Sequence, residues 1–164
     1  MKIRKVIYTL PLFFMLFIAL LSFKKHTESS AYKCMIQMTN YSGEGAYIVI
    51  SLLNSEQEYE ETLYVQGPDD EWYFDITEWW RFQGKKRAAI DAITGATISG
   101  GERNISVIRI PNDKIDRGYR IRFETAVEDK GYHKSDVEFE LTSENIKAKI
   151  EGTGFIRYVR ILPK

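Results

Sequence analysis

Apolar residues recur at every second position through much of the chain beyond residue 32, the period of a strand with one buried face. From Lys33 to Thr39, Cys34, Ile36 and Met38 share one side and alternate with Met35 and Gln37. Gly118 to Val127 repeats the pattern, with Tyr119, Ile121, Phe123, Thr125 and Val127 facing one way and Arg120, Arg122 and Glu124 the other. Val137, Phe139 and Leu141 form a further set, and Ile146, Ala148 and Ile150 another. Ala46 to Leu53 is almost continuously apolar, as expected of a central strand buried on both faces. Glu61 to Gln66, Asn104 to Ile110 and Phe155 to Leu162 complete the strands. Turn residues separate them at Tyr41–Gly45, Gly67-Pro68-Asp69-Asp70 and Pro111-Asn112-Asp113. Short strands at this spacing predict a mainly β fold, an immunoglobulin-like β-sandwich.

Three stretches depart from that period. Between Glu71 and Phe82, Trp72, Ile76, Trp79 and Trp80 fall at helical spacings, which predicts one short helix crossing one end of the sandwich. The connection from Phe82 to Glu102 then shows no pattern of its own, and long loops in compact domains tend to carry function. At the start, Lys2, Arg4 and Lys5 precede an apolar run from Val6 to Phe23, which Lys24, Lys25 and His26 close. That is the layout of an export signal. A membrane anchor is the alternative, since the run is close to the roughly 18-residue lower limit for a spanning helix. Ser29-Ser30-Ala31 is the nearest small-x-small site, which makes 1–31 the signal or anchor with its polar spacer and 32–164 a single domain. Either reading puts the protein in the periplasm or on the outer face of the cytoplasmic membrane.

Composition narrows the function classes. The formal net charge is +0, which argues against nucleic acid as the partner. Cys34 is the single cysteine, so neither an internal disulfide nor a multi-cysteine metal site is available. It lacks preceding small residues of the lipoprotein kind and reads as a small buried hydrophobe on a strand. His26 lies beside the leader and His133 in a turn, too isolated for a metal or haem site. Asp69 and Asp70 look like solvated turn residues. No Ser-His-Asp set and no phosphate-binding glycine loop stands out, so no catalytic residue is assigned and no metal is expected.

The chemistry concentrates in Asp91-Ala92-Ile93-Thr94-Gly95-Ala96-Thr97. These residues match D-x-x-[ST]-G-A-T, the acceptor motif on whose last threonine flavin transferases esterify FMN. A chance match in a chain of this length is on the order of a few in ten thousand. Gly95 and Ala96 leave little bulk beside Thr97, and Gly95 permits a tight turn with positive φ. A plain turn is the competing reading: Asp91 and Thr94 bonding to backbone, Gly95 left-handed, and Thr97 opening the next segment. Lys85, Lys86, Arg87 and Arg103 flank the motif and are candidates to stabilise a phosphodiester. Trp72, Tyr73, Trp79, Trp80 and Phe82 are candidates to stack on a flavin ring.

Together with Gly45 to Leu53, Thr62 to Gly67, Ile76 to Arg81 and Gly118 to Ala126, the motif makes the chain resemble a bacterial family of predicted periplasmic proteins of unknown function. Members are found with PepSY-type membrane proteins and flavin transferases. The resemblance implies FMN joined covalently, as a phosphoester, to Thr97. FAD would be the donor, Mg²⁺ the transferase's metal and AMP the leaving group. It further implies that Asp91, Thr94, Gly95 and Ala96 belong to the acceptor site, and that a PepSY-type membrane protein is the redox partner. On this expectation the protein is an electron carrier rather than an enzyme with its own substrate. The alternative is a cofactor-free sandwich of the cell envelope that acts as a binding or structural module.

Overall fold

The computed structural model describes residues 28–67, 69–86 and 94–164. The apolar run Val6–Phe23, and with it most of the expected leader, lies outside them. Nine strands are present: β1 (Ser29–Met38), β2 (Tyr47–Leu53), β3 (Tyr59–Gln66), β4 (Thr94–Gly95), β5 (Arg103–Pro111), β6 (Arg120–Val127), β7 (Gly131–Glu140), β8 (Lys149–Glu151) and β9 (Ile156–Pro163). They form two sheets, of order β5-β1-β9-β8 and β4-β3-β2-β6-β7. The pair β3–β4 is parallel and the remaining pairs are antiparallel. The fold is mainly β, a two-sheet sandwich, as the alternation predicts.

One face of each sheet closes on a shared core. Cys34, Ile36, Met38, Ile108, Val159 and Ile161 come from the four-stranded sheet, and Ile48, Ile50, Leu52, Ile121, Phe123 and Val137 from the other. The odd and even positions of β1 separate as predicted, and burial pushes the Cys34 thiol up to about 12. β2 is buried on both sides, because the opposite face of its sheet is also covered. That second layer is a 3-10 turn at Asp70–Asp75 followed by helix α1 (Thr77–Lys86). Tyr73, Ile76 and Trp79 pack there on Val49, Val65 and Ala126.

The helix therefore lies over the outer face of the five-stranded sheet, not across one end of the sandwich. The sheet residues explain the difference. Trp79 Nε1 donates to Thr62 Oγ1 at 2.9 Å, and the Phe82 ring stacks on Tyr59 at 5.4 Å. Glu124, fully buried on β6, accepts hydrogen bonds from the Tyr59 hydroxyl (2.5 Å), the Tyr132 hydroxyl and the backbone N–H of Trp79 in the first helical turn. A buried carboxylate is tolerable only with such donors.

Asp136 ties the two sheets together. It is buried on β7 and accepts from Thr125 Oγ1 (2.7 Å) and from the backbone N–H groups of Thr153 (3.1 Å), Gly154 (2.7 Å) and Ile156 (2.9 Å). Two further expectations need correction. Ile146, Ala148 and Ile150 do not form one strand, because Thr142 Oγ1 accepts the Asn145 N–H at 3.0 Å and starts a 3-10 turn, Asn145–Lys147, that leaves only the short β8. His133 is on β7 rather than in a turn, edge-on to the Phe155 ring at 5.0 Å.

Candidate functional site

The second half of the acceptor motif runs along the β3 edge of the five-stranded sheet. Thr94 and Gly95, as β4, pair with Val65 and Gln66. The Gly67 N–H donates to the Gly95 carbonyl at 2.5 Å, and the Gln66 side-chain amide donates to the Ala96 carbonyl. Beyond Thr97, Ile98 is buried in the core and bridges Ala46 through two backbone bonds of 2.7 and 3.3 Å. The Tyr41 hydroxyl adds a bond of 2.7 Å to the Ile98 carbonyl. This part of the expected long loop is strapped to the sheet at both ends of the Gly-Ala-Thr triplet. Asp91, Ala92, Ile93 and Arg87, and the side chains of Lys85 and Lys86, lie outside the described part of the structure.

Gly95 is a glycine for a different reason from the one expected. It does not have positive φ. A Cβ on it would lie 2.3 Å from the Tyr64 hydroxyl and 3.6 Å from Gln66 Nε2. Close approach of strap to sheet, not a left-handed turn, requires it. Thr97 has an equivalent neighbour that the pattern did not disclose. A Cβ on Gly45 would fall 2.5 Å from Thr97 Oγ1 and 2.7 Å from its Cβ. Gly45 leaves the space that the threonine side chain occupies.

Thr97 is half-buried and lines a cleft of about 310 Å³, the lower end of the size range of small-molecule sites. Gly45, Tyr47, Trp72 and Ala126 supply much of the rest of its wall. No hydrogen bond or ion pair among the described residues engages the Thr97 hydroxyl. A second hollow of about 370 Å³ adjoins the first, and Trp72 borders both. Of the five aromatic candidates, Trp72 is thus the one brought to Thr97. Tyr73 and Trp79 are core residues, and Phe82 is stacked on Tyr59. Trp80 is exposed on α1, and its ring packs near Tyr73 and Trp79.

The electrostatics differ from expectation. Glu44, Asp69, Asp75 and Glu128 line the cleft, and Asp69 is exposed, as expected of a turn residue. Burial, then the neighbouring Asp69 carboxylate, pushes the Tyr47 hydroxyl up to about 12. Arg103 is on the other sheet, donating to Gln37 Oε1 (3.0 Å) and Tyr158 Oη (3.4 Å). Among the described residues lining the two hollows, Lys130 is the one cation, and its side chain lies over Gly43, two residues from Gly45. No group of three or more His, Cys, Asp or Glu among the described residues is placed to hold a metal ion. No signal in the sequence brings these residues together, because they converge from the β1–β2, β3–α1 and β6–β7 turns.

The molecule is thus a β-sandwich domain with one helix-covered face and an acidic, tryptophan-bordered cleft at the sheet edge. The family described as predicted periplasmic protein (DUF2271) matches residues 29–158, and the chain belongs to it. That description agrees with the expectation of export. No curated protein and no solved structure matches the chain.

Proposed function

We propose that this exported protein carries FMN on Thr97 and relays electrons outside the cytoplasm, with a PepSY-type membrane protein as redox partner. The observation that supports this most is the placement of the motif threonine. Its hydroxyl has no partner among the described residues, small neighbours surround it, and it lines a cleft beside an aromatic wall. A flavin transferase would form the Thr97 Oγ1–phosphorus bond, break the FAD pyrophosphate and release AMP. Thr97 would hold the phosphate, Lys130 would offset part of its charge, and Trp72 and Tyr47 would flank the ring. The bound flavin supplies the electron-accepting ring, and the protein positions and shields it. Four carboxylates disfavour added negative charge in the cleft, so the site suits a low-potential carrier.

The test is the intact mass of protein made together with a flavin transferase. The expected result is a gain of FMN less water, abolished by Thr97→Ala and reduced by Gly45→Ala, whose methyl displaces the Thr97 side chain. An unmodified mass in the presence of an active transferase overturns the reading. In modified protein, Asp69→Asn or Glu128→Gln is expected to raise the midpoint potential, measured by redox titration.

A further inference from the structure

The outer face of the four-stranded sheet has no layer over it among the described residues. Its apolar and basic residues are interleaved. The pairing register places Val107, Lys33 and Leu162 in one row across β5, β1 and β9. Ile105, Met35, Arg160 and Lys149 make the next row. Ile105, Val107 and Leu162 are 61%, 44% and 45% exposed, the exposed large aliphatic side chains among the described residues. The cations Lys33, Arg103, Arg109, Lys149 and Arg160 are all exposed on the same face, where, among the described strand residues, Glu151, which pairs with Lys149 at 3.4 Å, is the one carboxylate. A chain of zero net charge has therefore separated its charge, with cations on this face and carboxylates around the cleft.

The start of β1 is bound into the sheet. Ser29, Ser30 and Ala31 are paired with Pro111, Ile110 and Arg109, and the Asn112 N–H donates to the Glu28 carbonyl at 2.9 Å. Cleavage after Ala31 would remove three paired residues from an inner strand, and the family match itself begins at residue 29. Between Phe23, the end of the apolar run, and Ser29 stand Lys24, Lys25, His26, Thr27 and Glu28, which reach at most roughly 18 Å. An apolar run kept on the chain would hold β1, and the basic face around it, close to the lipid.

We propose that the outer face of the four-stranded sheet rests on an anionic lipid bilayer, tethered by an uncleaved N-terminal segment, with the acidic cleft turned away from the lipid. Interleaved aliphatic side chains enter the headgroup region while the cations meet lipid phosphates. The carboxylates of the cleft are repelled by the same surface. The proposal rests on the sheet and its charges and holds whether or not Thr97 carries a flavin.

The experiment reconstitutes the full chain into phosphatidylcholine vesicles with and without phosphatidylglycerol. A polarity-sensitive fluorophore is placed by Val107→Cys or, as a control on the helix side, Phe74→Cys. Cys34 is fully buried and stays unlabelled. The expected result is quenching by brominated lipid at position 107 but not at 74, and only with phosphatidylglycerol. High salt, or the pair Lys33→Glu and Arg160→Glu, lowers the docked-to-undocked ratio by more than about tenfold. Equal quenching at both positions overturns the proposal, as does quenching at 107 that survives both salt and charge reversal. A signal at 107 in lipid-free detergent that grows with protein concentration assigns the face to a second copy and also overturns it. Envelope protein whose mass begins at Tyr32 overturns the tether.

Discussion

Each sheet turns one face to the shared core and one away from it, and the two outward faces end differently. On the five-stranded sheet the outward positions of β6 are Arg122 and Glu124, both buried. On the four-stranded sheet the outward positions hold exposed cations and aliphatic residues, with Gln37, Tyr158 and Glu151 in one row beside Arg103. In both cases a polar or charged residue alternates with an apolar one. The difference is what arrives on top. Helix α1 and Tyr132 bring donors to Glu124, while Arg122 donates to Glu138 at 2.6 Å and to the Tyr59 hydroxyl at 3.3 Å. A charge can be buried at tolerable cost only where its partners are built in, so the covered face is a network and the bare face a collection of solvated groups.

The sharpest way to break this contrast is to remove the residue that fastens the cover. Trp79→Ala deletes a fully buried indole and its bond to Thr62, and is expected to cost about 3–5 kcal/mol in urea unfolding. A loss below about 1 kcal/mol would mean that the helix contributes little to that face. Glu124→Ala follows, leaving the hydroxyl hydrogens of Tyr59 and Tyr132 and the Trp79 N–H without their acceptor, at an expected cost of about 2–3 kcal/mol by the same measurement.

Acid titration separates two carboxyls of the covered face. Burial holds the Glu124 carboxyl above the usual range, and its hydrogen bonds only partly offset this. Glu138 is also pushed up by burial, but bonds from Arg122, Arg120 and Ser135 prevail and hold it below. A raised carboxyl favours the folded state most below its unfolded pKa, and that contribution is lost as pH rises through the folded value. A depressed one contributes above its unfolded pKa and is lost as pH falls through the folded value. The two oppose each other around the ordinary glutamate value of 4.5. Glu124→Gln removes the first and leaves the second, so the variant should lose more stability than the parent between neutral pH and pH values below that of Glu138. Unfolding midpoints across that range check the sign.

How far the sequence discloses such features depends on how local they are. Strands β1 and β6 follow from the period of their own residues, because strand geometry alone fixes which side chains share a face, and β2 follows from its almost unbroken apolar run. The helix is legible from its aromatics, but its seat is not, since that depends on Thr62, Tyr59 and Glu124, distant in sequence. The threonine motif is legible as letters. Its structural reasons are not: Gly95 answers to Tyr64 and Thr97 to Gly45, contacts that exist only once β4 is laid on β3. The acidic lining of the cleft comes from three separate turns, each an ordinary solvated loop by itself. Asp136 gives no signal, because its four donors lie in β6 and in the β8–β9 turn and the start of β9.

The smallest expected effect sharpens the comparison from the bare side. Val107→Thr keeps a β-branched side chain on edge strand β5 and changes only its affinity for water. On a face that water covers, it should shift unfolding by no more than about 0.5 kcal/mol in lipid-free detergent. A cost above about 1 kcal/mol there would show that protein already shelters Val107, since exposed aliphatic groups contribute little to folding. Repeated with phosphatidylglycerol vesicles, the substitution should weaken lipid quenching at a label on Ile105→Cys while leaving the urea midpoint in detergent unchanged. Stability and docking then respond to different partners. Under Trp79→Ala the order reverses, with the midpoint falling and the bare face, its rows of paired residues intact under native conditions, still meeting the lipid.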